Sequence, residues 1–175
     1  GDLNAMRELG AATAREAHAL GVSWVFAPDA DVNNNPDNPI INVRSYGADP
    51  QAVAAGVSAF IEGAHADKRS YVLVTAKHFP GHGDTGEDSH LKLPKIDQPK
   101  ERIESLELVP FRAAIEHGVD SIMTAHLAVP AFEPEQKPAT VSHNILTGLL
   151  RDELGFKGIV VTDAMEMQAV AALYP

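Results

Sequence analysis

The segment KHFPGHGDTGEDSH, residues 77–90, carries three histidines, three acidic residues and three glycines. Such side chains bind metals, hold phosphates or transfer protons, so three kinds of site have to be compared. A phosphate-binding loop would end in Gly-Lys-Ser or Gly-Lys-Thr, which the segment lacks. Zinc ligation by the histidines conflicts with Pro80 and Gly81, which keep His78 and His82 off one regular helical face. We therefore predict no metal.

The spacing of Asp88 and His90 favours proton transfer. Asp88 lies two residues before His90, close enough for its carboxylate to orient the imidazole or to favour its charged form. Gly81, Gly83 and Gly86 permit large backbone changes. We expect a mobile catalytic loop, and a glycine-rich surface loop with incidental histidines is the simpler alternative.

Four apolar segments alternate with amphipathic helices along the chain. Strands are predicted at VSWVFAP, YVLVTAKH, DSIMTAHLAV and GIVVTDAM. Apolar strands that alternate with helices are typical of a parallel sheet. The predicted helix signals are caps at Asp2, at Asp49 with Pro50 and at Ser142, and a kink or break at Pro110 within residues 100–117.

The four predicted strands end in APDAD, AKH, TAH and VTD, so each delivers Asp, Lys or His at its carboxyl end. Barrel active sites are assembled at that end of the strands. A dinucleotide-binding sheet would need a glycine fingerprint after a strand, and the chain has none. The predicted fold is therefore α/β, a partial (β/α)8 barrel of the TIM type with about four βα units.

A complete barrel needs eight strands and about 250 residues. We therefore expect residues 1–175 to form a single partial domain, truncated at both ends, whose partner is the remainder of the barrel from flanking sequence. The chain begins GDLNAMRELG, without an initiator methionine, so the sequence leaves the compartment open.

The composition narrows the possible partners. Asp and Glu number 24 against 14 Lys and Arg, and a net charge of −10 disfavours binding to nucleic acid. The absence of cysteine excludes disulfide and thiolate chemistry. No apolar run approaches the roughly 20 residues of a membrane span.

Three motifs, NVRSYGADP, KHFPGHGDTGEDSH and GFKGIVVTDAMEM, together resemble glycoside hydrolase family 3, specifically its β-N-acetylglucosaminidase branch. The resemblance covers essentially the whole chain. It implies a barrel domain with a retaining mechanism in which Asp163 is the nucleophile. It also implies that His90, paired with Asp88 on a flexible loop, is the general acid/base.

The resemblance further implies sugar contacts, which fall on Arg44, Lys77, His78 and Asp31. His126 is interpreted either as a residue that lines the sugar site or as a structural hydrogen-bond partner. This sequence departs from the family pattern at Asp29, where an apolar residue is usual. An Asp and an Arg that the family takes from an earlier part of the barrel are also outside this chain.

The chemistry agrees with these roles. Glycoside hydrolysis passes through an oxocarbenium-like transition state and needs a carboxylate beside the anomeric carbon and a proton donor at the leaving oxygen. Histidine, with an ordinary pKa of about 6.5, needs little tuning to donate near neutral pH. The expected substrate is a carbohydrate with terminal β-linked N-acetylglucosamine, derived from peptidoglycan or chitin, and no cofactor is expected. A glycoside phosphorylase, a β-glucosidase and a non-catalytic sugar-binding fragment are the alternatives.

Overall fold

The computed structural model describes residues 1–86, Ser89 and residues 92–174. Strands and helices alternate along the chain, and the predicted α/β class is confirmed. In the described residues four strands form one parallel sheet in the order β1-β2-β3-β4. They are β1 (Trp24–Val25), β2 (Leu73–Phe79), β3 (Ser121–Thr124) and β4 (Ile159–Thr162).

The helices that cover this sheet are α1 (Leu3–Ala19), α2 (Pro50–Ala64), α3 (Lys100–Ser105), α4 (Val109–Glu116) and α5 (Gln168–Ala171), with a π-helix over Asn144–Glu153 between β3 and β4. Short 3-10 helices cover Asn42–Arg44, Lys68–Ser70 and Ala139–Val141. No helix of the described residues is both long and apolar enough to cross a membrane.

The helix signals read from the sequence act as predicted. The Asp2 carboxylate accepts from two backbone amides in the first turn of α1, and Asp49 accepts from Ala52 at 2.7 Å at the start of α2. The Ser142 hydroxyl accepts from the Ile145 amide at 3.2 Å at the start of the π-helix. Pro110 lies in the first turn of α4, so the predicted helix over residues 100–117 is split into α3 and α4.

Two strands are shorter than the apolar pattern predicts. The ladder of β1 covers two residues, and the pairing continues irregularly through the Thr75 amide, which donates to the Ala27 carbonyl at 2.8 Å. The sheet pairing of β3 ends at Thr124 because the segment after it turns to pair with another loop, with the Ile96 amide donating to the Ala128 carbonyl at 2.9 Å. The apolar residues Leu127, Ala128 and Val129 of this segment are nevertheless buried.

The core lies between the sheet and the helices packed on it. Helix α2 is buried along most of its length, and Phe79 at the end of β2 meets Phe111 of α4 edge to face at 5.3 Å. At the amino ends of the strands, Asp120 accepts from His65, Tyr71 and the Val74 amide. These contacts hold β2 and β3 together at one end and leave the carboxyl ends to the polar side chains.

Candidate active site

A buried carboxylate organises the carboxyl ends of β1 and β2. Asp31 follows β1 and is fully buried, and its Oδ1 accepts from the His82 amide at 2.6 Å. The His78 amide lies 3.2 Å from both carboxylate oxygens, and the His78 Nδ1 lies 2.7 Å from Oδ2. Asp31 therefore ties the loop after β1 to the end of β2, and its oxygens are occupied within the protein.

The contacts of His78 define its protonation state. Arg44 lies with one guanidinium nitrogen 3.4 Å from His78 Nε2, and because a guanidinium only donates, Nε2 accepts. The ring proton is then on Nδ1, where it is donated to Asp31. Burial lowers the pKa of His78 to about 4, which also favours the neutral ring.

Asp29 lies beneath the same arginine. Its Oδ1 accepts from the Asp31 amide at 3.2 Å, and its Oδ2 lies 3.5 Å from an Arg44 guanidinium nitrogen. Burial, followed by the nearby Asp31 charge, raises the pKa of Asp29 to about 7. The family pattern had marked this position only as a departure, and the structure makes it part of the polar cluster.

Asp163 follows β4 directly. Its amide donates to the Thr124 carbonyl at 3.2 Å, which continues the pairing with β3, and its Oδ1 accepts from the Ala164 amide at 2.8 Å. Its Oδ2 lies 3.9 Å from His78 Nε2, and the side chain is 29% exposed. The carboxylate is thus fixed by the strand end yet open to the space above it.

That space is a cleft of about 180 Å³ at the carboxyl ends of the strands. Four residues predicted from the sequence line it, namely Arg44, Lys77, His78 and Asp163. Burial lowers the pKa of Lys77, with the Arg44 charge as a second cause. Phe26 after β1 and Met123 in β3 also line the cleft, and only their positions near strand ends could have indicated this from the sequence.

The loop after β2 is anchored at its base. Asn38 is buried, and its side-chain amide donates to the His82 carbonyl at 2.8 Å and the Gly83 carbonyl at 3.0 Å. A Cβ on Gly83 would lie 1.8 Å from the Val32 carbonyl oxygen. Gly83 therefore allows a close backbone approach, whereas Gly86 lies in open space with Asn35 as its neighbour at 3.8 Å.

Asp88 and His90, the predicted acid/base pair, lie outside the described residues. Ser89 between them is described and lines the cleft. Its hydroxyl is 3.1 Å from His82 Nε2, and its carbonyl accepts from the Ala169 amide of α5 at 3.3 Å. Ser89 thus links the base of the loop to the helix that follows Asp163.

His126 lies behind the cleft rather than in it. Its ring is buried, with Nε2 donating to the Ala164 carbonyl at 2.9 Å and Nδ1 2.7 Å from the Thr140 hydroxyl. Both nitrogens are therefore engaged within the protein. The contact with Ala164 braces the backbone next to Asp163.

One group in the described residues has the composition of a metal site: Asp29, Asp31 and His78 each place a ligand atom within 4.8 Å of the others. Asp31 already accepts from three N–H groups, and the positively charged Arg44 guanidinium lies 3.5 Å from Asp29 Oδ2. His82, from the zinc set considered above, has its two nitrogens bonded to Thr85 and Ser89. The donor set fits a hydrogen-bond network better than a cation.

Residues 1–174 match the family described as the Glycosyl hydrolase family 3 N terminal domain, a TIM-barrel-like fold. Beta-hexosaminidase A of Pseudoalteromonas piscicida is 40% identical over 189 residues, which cover 99% of this chain and 30% of that protein. A family 3 β-N-acetylglucosaminidase structure from Paenibacillus sp. str. FPU-7 has a TM-score of 0.95 at 50% identity and covers 99% of this chain and 32% of that one.

A third relative carries a different name. The structure of the β-glucoside phosphorylase BglX has a TM-score of 0.93 at 32% identity, covering 99% of this chain and 32% of that chain. The chain thus spans about a third of the length of each of these three relatives. The predicted barrel type of fold is confirmed by these matches.

Proposed function

Because the chain belongs to glycoside hydrolase family 3, we propose that the protein carrying it is a retaining β-N-acetylglucosaminidase. The enzyme removes terminal β-linked N-acetylglucosamine from peptidoglycan- or chitin-derived fragments. Relatives named β-hexosaminidase and β-N-acetylglucosaminidase support this substrate class. The observation that carries the proposal is Asp163, a carboxylate held at the end of β4 and open to a polar cleft.

Asp163 attacks the anomeric carbon and forms a covalent glycosyl intermediate, which water then hydrolyses. The fixed backbone around Asp163 supports this role, because its Oδ1 bond to the Ala164 amide leaves Oδ2 toward the cleft. His90, favoured in its charged form by Asp88, protonates the leaving oxygen. The neutral imidazole then deprotonates the incoming water. Ser89, which lies between Asp88 and His90 in the sequence, lines the cleft. Its position supports the approach of both residues to the sugar.

Arg44, Lys77 and His78 bind the sugar. Arg44 and Lys77 donate to hydroxyl or acyl oxygens, and His78 Nε2 is an acceptor that a sugar hydroxyl reaches when it displaces the long 3.4 Å contact with Arg44. Asp31 and His126 act from behind the site, since their polar atoms are taken by backbone and side-chain partners. Both are therefore proposed as positioning residues for His78 and Asp163.

The test separates the two catalytic roles in the complete protein. Asp163→Ala is expected to abolish turnover of every β-N-acetylglucosaminide, because no covalent intermediate forms. His90→Ala is expected to lose about 10²–10⁴-fold on substrates with poor leaving groups and far less on nitrophenyl substrates that need no protonation. Asp37→Ala and His143→Ala, both exposed, are the matched controls. Equal losses for His90→Ala on both substrate types would remove His90 from the acid role.

A second candidate is a glycoside phosphorylase. The relative named β-glucoside phosphorylase favours it, and so do Arg44 and Lys77, two cations in the cleft that suit an anionic acceptor. Incubation with inorganic phosphate separates the two, since a phosphorylase yields a sugar 1-phosphate and a hydrolase yields free sugar. A β-glucosidase is separated by comparing kcat/KM for glucosides and N-acetylglucosaminides, and a non-catalytic sugar-binding fragment would turn over neither.

The rest of the site is proposed to come from flanking sequence. In the described part of the chain, β1 and β4 each pair with a single neighbour, so each presents an edge to which further barrel strands could pair. Residues 1–175 are therefore proposed to be one partial barrel domain. The proposed partner is the remainder of that barrel.

A further inference from the structure

In the described part of the chain, the Asp29 carboxyl forms an ion pair with one residue of the cleft, Arg44. Its side chain is 8% exposed, and within the described residues Oδ2 makes no hydrogen bond; its nearest partner is the Arg44 guanidinium at 3.5 Å. The other contacts of that guanidinium are also long, 3.4 Å to the Ile40 carbonyl and 3.4 Å to His78 Nε2. Arg44 is 41% exposed, and among the described residues Asp29 is the carboxyl group with which it forms an ion pair.

We propose that Asp29 is a positioning residue which, when ionised, holds the Arg44 guanidinium over the cleft and so strengthens the grip of Arg44 on the sugar as the pH rises. The inference rests on the proposed sugar-binding function of the cleft. It adds a residue that the family pattern does not assign, at a position where an apolar side chain was expected. An apolar residue there would leave Arg44 without its buried counter-charge.

Two carboxyl groups share this buried region, and their contacts show which one holds a proton near neutral pH. Burial raises the pKa of Asp31 as well, but two backbone amides and the His78 ring donate to its carboxylate and oppose that rise. Asp29 accepts from one amide and has only the longer contact with Arg44. Asp29 is therefore the group that titrates, in keeping with its pKa of about 7.

The other charged and titratable groups that face Asp29 determine the pH range in which its charge changes. Arg44, Lys77 and Asp31 influence it by charge, and His78 is neutral through the relevant range. Tyr46 also faces it, and burial raises the pKa of that phenol. Between about pH 5.5 and 8, Asp29, with its pKa of about 7, therefore changes its charge while His78 stays neutral.

The experiment compares the complete parent protein with Asp29→Asn at pH 5.5 and pH 8. Asparagine keeps an oxygen for the Asp31 amide and removes the charge. Binding of N-acetylglucosamine is measured by calorimetry, and KM and kcat are measured on a nitrophenyl N-acetyl-β-glucosaminide. At pH 8 the variant is expected to bind about tenfold more weakly, the size of a lost contact with a charged group. Most of this loss is expected in KM. At pH 5.5 the parent Asp29 is protonated and therefore as uncharged as the asparagine of the variant, so the ratio of the two affinities is expected to be close to one.

Two further variants keep the test decisive. Asp37→Asn makes the same change at an exposed aspartate of the same segment. We expect this variant to bind the sugar with the affinity of the parent at both pH values. In an Arg44→Gln background, Asp29→Asn is expected to have little further effect, because its influence passes through the arginine. If Asp29→Asn does not fold, Arg44→Gln alone must lose more affinity at pH 8 than at pH 5.5.

A loss of affinity that is the same at both pH values would assign Asp29 a merely structural role and overturn the inference. A ratio of one between the affinities of variant and parent at both pH values would also overturn it. Sugar binding with the expected pH pattern but no turnover would support the role of Asp29 and contradict the proposed glycosidase. Failure of the parent to bind the sugar at either pH would overturn both.

Discussion

Replacing Asp31 with asparagine tests whether this residue supports the site or touches the sugar. The carboxylate accepts from the His82 amide at 2.6 Å, from the His78 ring at 2.7 Å and from the His78 amide at 3.2 Å. Asparagine offers one oxygen acceptor, and its NH2 group then faces N–H donors. At least one buried donor loses its partner, and the new NH2 group gains none.

The size of the effect follows from these contacts. A buried donor without a partner costs about 1–3 kcal/mol, so two such groups cost about 2–6 kcal/mol. Domains are stable by only about 5–15 kcal/mol, so Asp31→Asn removes a large share of the free energy of unfolding. His78 also loses the acceptor that fixes its tautomer, so turnover falls as well.

The assay is urea unfolding of the complete protein followed by circular dichroism, with Asp37→Asn as the matched exposed control. Asp31→Asn is expected to unfold at a clearly lower urea concentration, and the control at the parental one. A decrease of less than about 1 kcal/mol in the free energy of unfolding would contradict the cost expected for buried donors without a partner. If such a variant also bound sugar weakly, Asp31 would be a direct sugar ligand, as the family resemblance had implied.

Three further predictions concern the domain, the loop and the titrating pair. Residues 1–175 expressed alone are expected to aggregate because β1 and β4 each expose an edge, and a monomeric, cooperatively melting fragment in sedimentation and calorimetry would contradict this. Gly83→Ala is expected to lower both stability and turnover, because its Cβ meets the Val32 carbonyl at 1.8 Å. Gly86→Ala has space and is expected to keep the parental stability, so a fall in its turnover reports on loop motion, whereas full turnover would argue against a hinge at Gly86. Folding raises the pKa of Asp29 from 3.8 to about 7 and lowers that of His78 from 6.5 to about 4, so the two proton changes cancel between about pH 4 and 6.5. Asp29→Asn removes the proton change of Asp29, so the stability of the variant relative to the parent rises by about 1.4 kcal/mol per pH unit over that window, and parallel curves for variant and parent in urea titrations would refute it.

Local signals in the sequence were enough to predict the helices and strands and to identify Asp163 as the candidate nucleophile. Asp2 and Asp49 cap their helices because a short carboxylate reaches the free amides of the first turn, an interaction set within a few residues. Asp163 lies at the cleft because it follows an apolar strand, and the carboxyl ends of parallel strands meet at one edge.

Interactions between distant loops could not be predicted in this way. The segment after β3 is as apolar as a strand, yet it leaves the sheet because residues 95 and 96 pair with Ala128. The resemblance implies a sugar contact for Asp31, and the path of the chain also turns two amides of the β2 loop toward its carboxylate. Burial of the carboxylate depends on that path, which no spacing in the sequence encodes.

The same limit applies to Asp29 and Gly83. The raised pKa of Asp29 comes from burial beside a second carboxyl group, and burial is a property of the assembled loops. Gly83 was interpreted as a source of flexibility, whereas the structure gives it a packing role against Val32. A glycine motif alone does not distinguish a hinge from a close contact.

Trapping the covalent intermediate tests whether Asp163 is the nucleophile. The complete protein is incubated with a fluorinated N-acetylglucosaminide that forms the glycosyl enzyme quickly and releases it slowly, and the protein is then digested and analysed by mass spectrometry. We expect one added sugar on the peptide that contains Asp163, and none in Asp163→Ala. A sugar attached to a different residue, or rapid turnover by Asp163→Ala, would contradict it.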